Sequence, residues 1–107
     1  MLTSDSLTAL LAERVMGWAV ASDRFLMANR RWIPRWRFQP QQNLVDAFRL
    51  LEAAAPEHYW MDSRKGGEFC VRVETAGGVG EACHASKPQA ITFAIARALG
   101  IHVESNG

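Results

Sequence analysis

Apolar residues recur at helical spacing near both ends of the chain and alternate with polar ones in between. Leu7, Leu10, Leu11, Val15 and Trp18 lie three or four positions apart, which puts them on one face and predicts a helix from Ser4 or Asp5 to Ala19. Ser4, Asp5 or Ser6 supplies its cap. A second helix is predicted after Asn43, with Asp46 in the first turn where a negative charge favours the helix dipole. Its apolar face is Leu44, Ala47, Phe48, Leu51 and Ala55, and Pro56 stops it. The closing helix starts at Ser86-Lys87-Pro88-Gln89, a capping box with proline in the first turn, buries Ile91, Ala94, Ile95, Ala98 and Leu99, and stops at Gly100.

Three strands fit between the second and third helices. His58–Met61 is short and ends at a turn over 62–67. From Glu68 to Glu74 the alternation is clear, with Phe69, Val71 and Val73 on one face and Cys70, Arg72 and Glu74 on the other. Ala76-Gly77-Gly78 makes a hairpin turn into a third strand, Gly80–Ala85. Residues 20–42 show neither period, hold Pro34 and Pro40, and read as an irregular segment with an extended stretch over Trp32–Phe38. Residues 102–107 read as a polar tail. The order is helix, irregular segment, helix, three strands, helix (α-α-β-β-β-α). It predicts an α+β fold in which a three-stranded antiparallel sheet is packed by helices, as an α/β/α sandwich.

Composition narrows the class. A chain of 107 residues has room for one domain and one core, and 49% hydrophobic with 21% charged residues is a globular balance. The net charge of +1 points to no class of partner by itself. No apolar run is long enough to span a membrane, and the N-terminus lacks the basic region of a secretory signal. Cys70 and Cys83 have no metal-binding spacing, so no metal or cofactor is expected, and reduced thiols in a cytoplasmic protein are the simple reading. A disulfide between them is conceivable if their strands are neighbours.

Three stretches carry a family resemblance. Glu13-Arg14-Val15-Met16-Gly17-Trp18 is similar to a Val-Met-Gly-Trp run, and Trp36-Arg37-Phe38-Gln39-Pro40-Gln41-Gln42-Asn43 with Leu44-Val45-Asp46-Ala47-Phe48 to an aromatic, Pro-turn, polar-cap and helix sequence. Gly80-Glu81-Ala82 followed by Ser86-Lys87-Pro88-Gln89-Ala90-Ile91 is similar to a closing strand and helix start. Together these resemble the phage ABA-sandwich domain family, small phage and prophage proteins of unknown biochemical role. The resemblance spans nearly the whole chain and implies that fold, a phage origin and the cytoplasm of a bacterial host. The stretch from Ser22 to Arg37 departs from it by its arginine content. A second likeness, to the double-stranded-RNA-binding domain, covers Glu68–Leu99. It is one of topology, because that module grips phosphates with several lysines where this chain has Lys87 followed by Pro88 and Gln89.

The main chemical anomaly is the run from Arg24 to Arg37. Arg24, Arg30, Arg31, Arg35 and Arg37 are half of the ten arginines, no acid lies among them, and Phe25, Trp32 and Trp36 are interleaved. Arginine and aromatic side chains together suit phosphate contacts and stacking on bases. The same residues also suit tryptophans packed on a core under solvated arginines. Trp18, Trp36 and Trp60 would line a pocket or fill the core, and the regular helix face favours the core for Trp18. Cys83 and His84, adjacent on a strand, point to opposite faces and cannot act as a nucleophile–base pair; His58 and His102 read as surface residues. Gly77-Gly78-Val79-Gly80 joins two strands and so is a turn rather than a phosphate loop.

These features favour a non-enzymatic phage accessory protein that works by binding a nucleotide-type small molecule, nucleic acid or a host protein. Arg30, Arg31, Arg35, Arg37 and Lys87 would hold phosphate and Trp32 or Trp36 would stack. The alternatives are a homo-oligomeric assembly protein that pairs exposed sheet edges, or a diverged double-stranded-RNA-binding module.

Overall fold

The computed structural model describes residues 3–101, so His102 and the polar tail lie outside it. Helix α1 (Ser4–Arg14) is capped by Thr3, whose hydroxyl accepts from the Ser6 amide at 3.1 Å, and it buries Leu7, Leu11 and Ala12. It ends before the expected Ala19. The chain reverses at Gly17, where φ is +72°, and the Trp18 amide donates to the Ala12 carbonyl at 3.0 Å. Trp18 still reaches the core, from the loop after the helix rather than from its face.

The segment expected to be irregular is a small sheet. Strands β1 (Ala19–Val20), β2 (Arg24–Leu26) and β3 (Trp32–Pro34) pair antiparallel, with Phe25 opposite Ile33. Arg30 adopts φ +66° in the β2–β3 turn, and the Asn29 side chain accepts from the Arg31 amide. A one-turn 3-10 helix, Arg35–Arg37, follows. Strands of two and three residues are too short to print a period on the sequence.

Helix α2 (Leu44–Ala54) starts at Asn43, whose side chain accepts from the Asp46 amide, and ends where Ala55 takes a left-handed conformation before Pro56. Leu50 and Leu51 are buried, while Leu44, Val45 and Phe48 remain substantially exposed. Strands β4 (His58–Ser63), β5 (Phe69–Thr75) and β6 (Gly78–His84) form the larger antiparallel sheet in that order. Val71 and Val73 face the core as the alternation requires, and Arg72 faces out. Trp60, paired with Arg72, shares the outer face and is 52% exposed, so it is not a core residue.

Helix α3 (Lys87–Ala98), capped by Ser86, is the centre of the fold, with Ala90 to Ala96 buried. It lies directly on β6: a Cβ on Gly80 would run into the backbone of Ala94 and Ala98. Its opposite side reaches the loop before α2, where Thr92 bonds to the Pro40 carbonyl. Beyond that loop the rings of Trp18, Phe25 and Phe38 pack together with centroids 5.0 to 6.1 Å apart. The α+β class, the order of the main elements and the helix-packed antiparallel sheet are as expected. Helix α3 covers one face of the larger sheet and α2 packs against α3, while on the other face His58, Trp60, Asp62, Arg72 and Glu81 are exposed.

Cys70 and Cys83 are directly opposite across β5 and β6, with Cα atoms 4.0 Å apart, and are joined as a disulfide. This corrects the expectation of reduced thiols: the hairpin register brings the two side chains together on the outer face. It also removes the thiol argument for a reducing compartment. Glu68 lies close to both sulfurs, but in the bonded pair neither sulfur is a free thiolate for a metal. No helix among the described residues is long and apolar enough to cross a membrane.

Candidate functional site

The small sheet and the 3-10 helix carry most of the residues singled out in the sequence. Phe38, the first residue after the 3-10 helix, is fully buried and anchors it. The loop behind it is fixed from two sides, because the Gln39 amide donates to Asp46 Oδ2 at 2.9 Å and the Pro40 carbonyl accepts from Thr92 at 2.8 Å. Gln41, also buried, donates to the Ser4 carbonyl and to Thr8 Oγ1 of α1. Arg35, Trp36 and Arg37 thereby precede a loop hydrogen-bonded to all three helices.

Two clefts meet at Trp36, which is 68% exposed. One, of about 370 Å³, has walls from α1 (Ser4, Asp5, Thr8), the small sheet (Ser22, Asp23, Phe25) and the 35–42 loop (Arg35, Gln39, Gln41, Gln42). The other, of about 540 Å³, is more open and is bounded by Arg37, Gln39, Gln42, Asn43 and Asp46. Trp36, Gln39 and Gln42 belong to both. The arrangement offers an aromatic face, amide groups that donate and accept, carboxylates that accept, and guanidinium groups.

The charges here are unevenly compensated. Arg24 pairs with Asp23 at 3.4 Å and its guanidinium carbon lies 4.8 Å from the Trp32 ring centre. Among the described residues Arg30, Arg31, Arg35 and Arg37 have no carboxylate partner, whereas Arg49 and Arg64 each have one and Arg72 has two. Arg37 lies 5.6 Å from the Trp36 ring and Arg35 5.4 Å from the Phe25 ring. The Nε of Arg35 is buried without a hydrogen-bond partner. A buried guanidinium nitrogen left in this state is costly unless something else satisfies it.

The structure does not bring every sequence-selected residue to this place. Arg35, Trp36 and Arg37 are contiguous, Trp32 is half-exposed on β3, and Arg30 and Arg31 occupy the turn before it. Lys87 belongs to another neighbourhood, with its ammonium 5.6 Å from the Phe69 ring of β5. The three tryptophans do not share a pocket: Trp18 is core, and Trp60 stands on the outer sheet face between His58 and Arg72. His84 Nδ1 accepts from the Ser86 amide at 2.9 Å, ahead of α3. Asp5, Asp23, Gln39 and Gln42 were not legible as site residues, since only the packing of α1 against the loop assembles them.

No protein-family model matches the sequence, and no curated protein does. In fold the chain is similar to a crystallised phage protein from Bacillus cereus ATCC 14579, with 18% identity over 97% of this chain and 94% of that one and a TM-score of 0.76. At that identity the likeness is one of fold, carried over nearly the full length of both chains.

Proposed function

We propose that this chain is a non-enzymatic phage accessory protein that binds a ligand with a planar ring and a phosphate, a nucleotide or single-stranded nucleic acid, at Arg35, Trp36 and Arg37. The observation that carries this reading is the exposed Trp36 flanked in sequence by Arg35 and Arg37, neither of which has a carboxylate partner among the described residues. Arginine recognises phosphate oxygens through its fixed fork of donors, and tryptophan stacks on any base. The carboxylates of Asp5 and Asp23 in the cleft between α1 and the small sheet disfavour an anion there. They suit the amino groups of a base, which leaves the phosphate at the rim with Arg35 and Arg37. Arg30 and Arg31, without ion-pair partners, extend the positive surface for a longer strand. The phage setting is supported by the sequence resemblance and by the fold shared with the Bacillus cereus phage protein.

Anisotropy of a fluorescently labelled short single-stranded oligonucleotide measures the affinity of variants that lack Trp36. In the wild type the same titration should also quench the tryptophan emission. Trp36→Phe should retain binding, Trp36→Ala should weaken it by about tenfold or more, and both should fold normally because Trp36 is exposed. Undiminished affinity in Trp36→Ala would place the ligand elsewhere.

A further inference from the structure

The two edges of the larger sheet are finished differently. The Arg64 amide donates to the Glu68 carbonyl at 2.7 Å, next to the continuous register from His58↔Glu74 to Ser63↔Phe69. That phase turns the backbone polar groups of His58, Trp60 and Asp62 toward β5, and those of Tyr59, Met61 and Ser63 away from the sheet. On the opposite edge the alternation turns Val79, Glu81 and Cys83 outward. There Arg97 reaches over and donates to the Glu81 carbonyl at 2.7 Å. No comparable contact closes the β4 edge among the described residues.

The strand β4 has no proline and no lysine, and it pairs with β5 without interruption from His58 to Ser63; an extra bond from the Glu57 amide to the Glu74 carbonyl at 2.8 Å lies just ahead of it. Apolar groups flank it on both sides. On the helix side Tyr59, Phe48, Leu51 and Pro56, with Glu52 beside them, line a groove of about 400 Å³, and on the outer side Trp60 is half-exposed.

We infer that β4 pairs with β4 of a second copy, antiparallel across a two-fold axis, making one six-stranded sheet from two of three. A free backbone edge is a template on which another strand can replace water, and a two-fold axis makes a strand antiparallel to itself. One register meets every condition at once. With Tyr59 and Met61 as the hydrogen-bonding residues, Trp60 faces Trp60 of the partner subunit in a close, non-hydrogen-bonded pair. The same register sets His58 opposite Asp62 of the partner subunit, so an imidazole meets a carboxylate at both ends. This inference rests on the sheet edge alone and is independent of the ligand site.

Sedimentation equilibrium and native mass spectrometry of the full chain test it. The wild type should be a dimer. Tyr59→Pro removes an outward N–H that makes no bond to β5, and Trp60→Lys sets like charges opposite each other. Each should weaken the dimer by about tenfold or more, with unchanged circular dichroism. If Tyr59→Pro fails to fold, Trp60→Lys decides alone. A wild-type chain that stays monomeric at high micromolar concentration overturns the inference. So does a dimer that Trp60→Lys leaves undisturbed, or a monomer whose β4 edge takes up a strand of a different protein.

Discussion

Thr92 Oγ1 donates a 2.8 Å hydrogen bond to the carbonyl of Pro40, and both residues are fully buried. This bond ties the central helix to the loop that presents Arg35, Trp36 and Arg37, so core stability and site geometry share one contact. Thr92→Val keeps the shape but leaves the carbonyl buried without a donor. It should cost about 1–3 kcal/mol, read as a lower urea midpoint with an unchanged slope.

Asp46 fixes the same loop from α2. Its Oδ2 accepts from the Gln39 amide at 2.9 Å, and its Oδ1 lies 3.4 Å from Arg49 Nη1. Asp46→Ala removes both and should destabilise by about 1–2 kcal/mol. Asp46→Asn, which retains an acceptor for Gln39, should cost less. Because the loop leads back to Trp36, ligand affinity should fall in the same order, measured by the fluorescence titration.

Gly80 sets the distance between β6 and α3. Since a Cβ there meets the backbone of Ala94 and Ala98, Gly80→Ala should cost about 1–3 kcal/mol through displacement of the helix. Gly77→Ala, in the hairpin turn with only the distant Thr75 hydroxyl nearby, should stay within about 0.5 kcal/mol. Thermal denaturation of the two variants side by side checks the contrast.

The Cys70–Cys83 disulfide closes a loop with a sequence separation of 13. Reduction by a dithiol, or the double variant Cys70→Ser and Cys83→Ser, should lower stability by about 2–3 kcal/mol. The hairpin itself should persist, because its ladder and the Val71 and Val73 packing do not depend on the sulfurs. An unchanged melting temperature after complete reduction would contradict a stabilising role.

What the sequence revealed follows the length over which each physical pattern repeats. The strand β5 alternates for seven residues and α3 carries both its cap and its stripe, so both were legible. The small sheet was not, since two or three residues per strand hold no period and its pairing depends on Phe25 and Ile33 meeting. The disulfide follows from the hairpin register. Thr75 and Gly78 close the hairpin, and Cys70 and Cys83 lie five residues out from them on either side (75 − 70 and 83 − 78). At the site, Arg35, Trp36 and Arg37 were visible as composition. The contributions of Asp5, Asp23, Gln39 and Gln42 arise from contacts across the fold, which no local spacing encodes.

The central claim is that the uncompensated charge at Arg35 and Arg37 holds phosphate. Fluorescence anisotropy of a labelled single-stranded oligonucleotide, with wild type and the double variant Arg35→Ala and Arg37→Ala over a range of salt, measures this directly. The account predicts salt-dependent binding by the wild type. In the double variant it predicts a loss of about tenfold or more and a shallower salt dependence, with the fold intact. Equal affinity and equal salt dependence in the two proteins would contradict it.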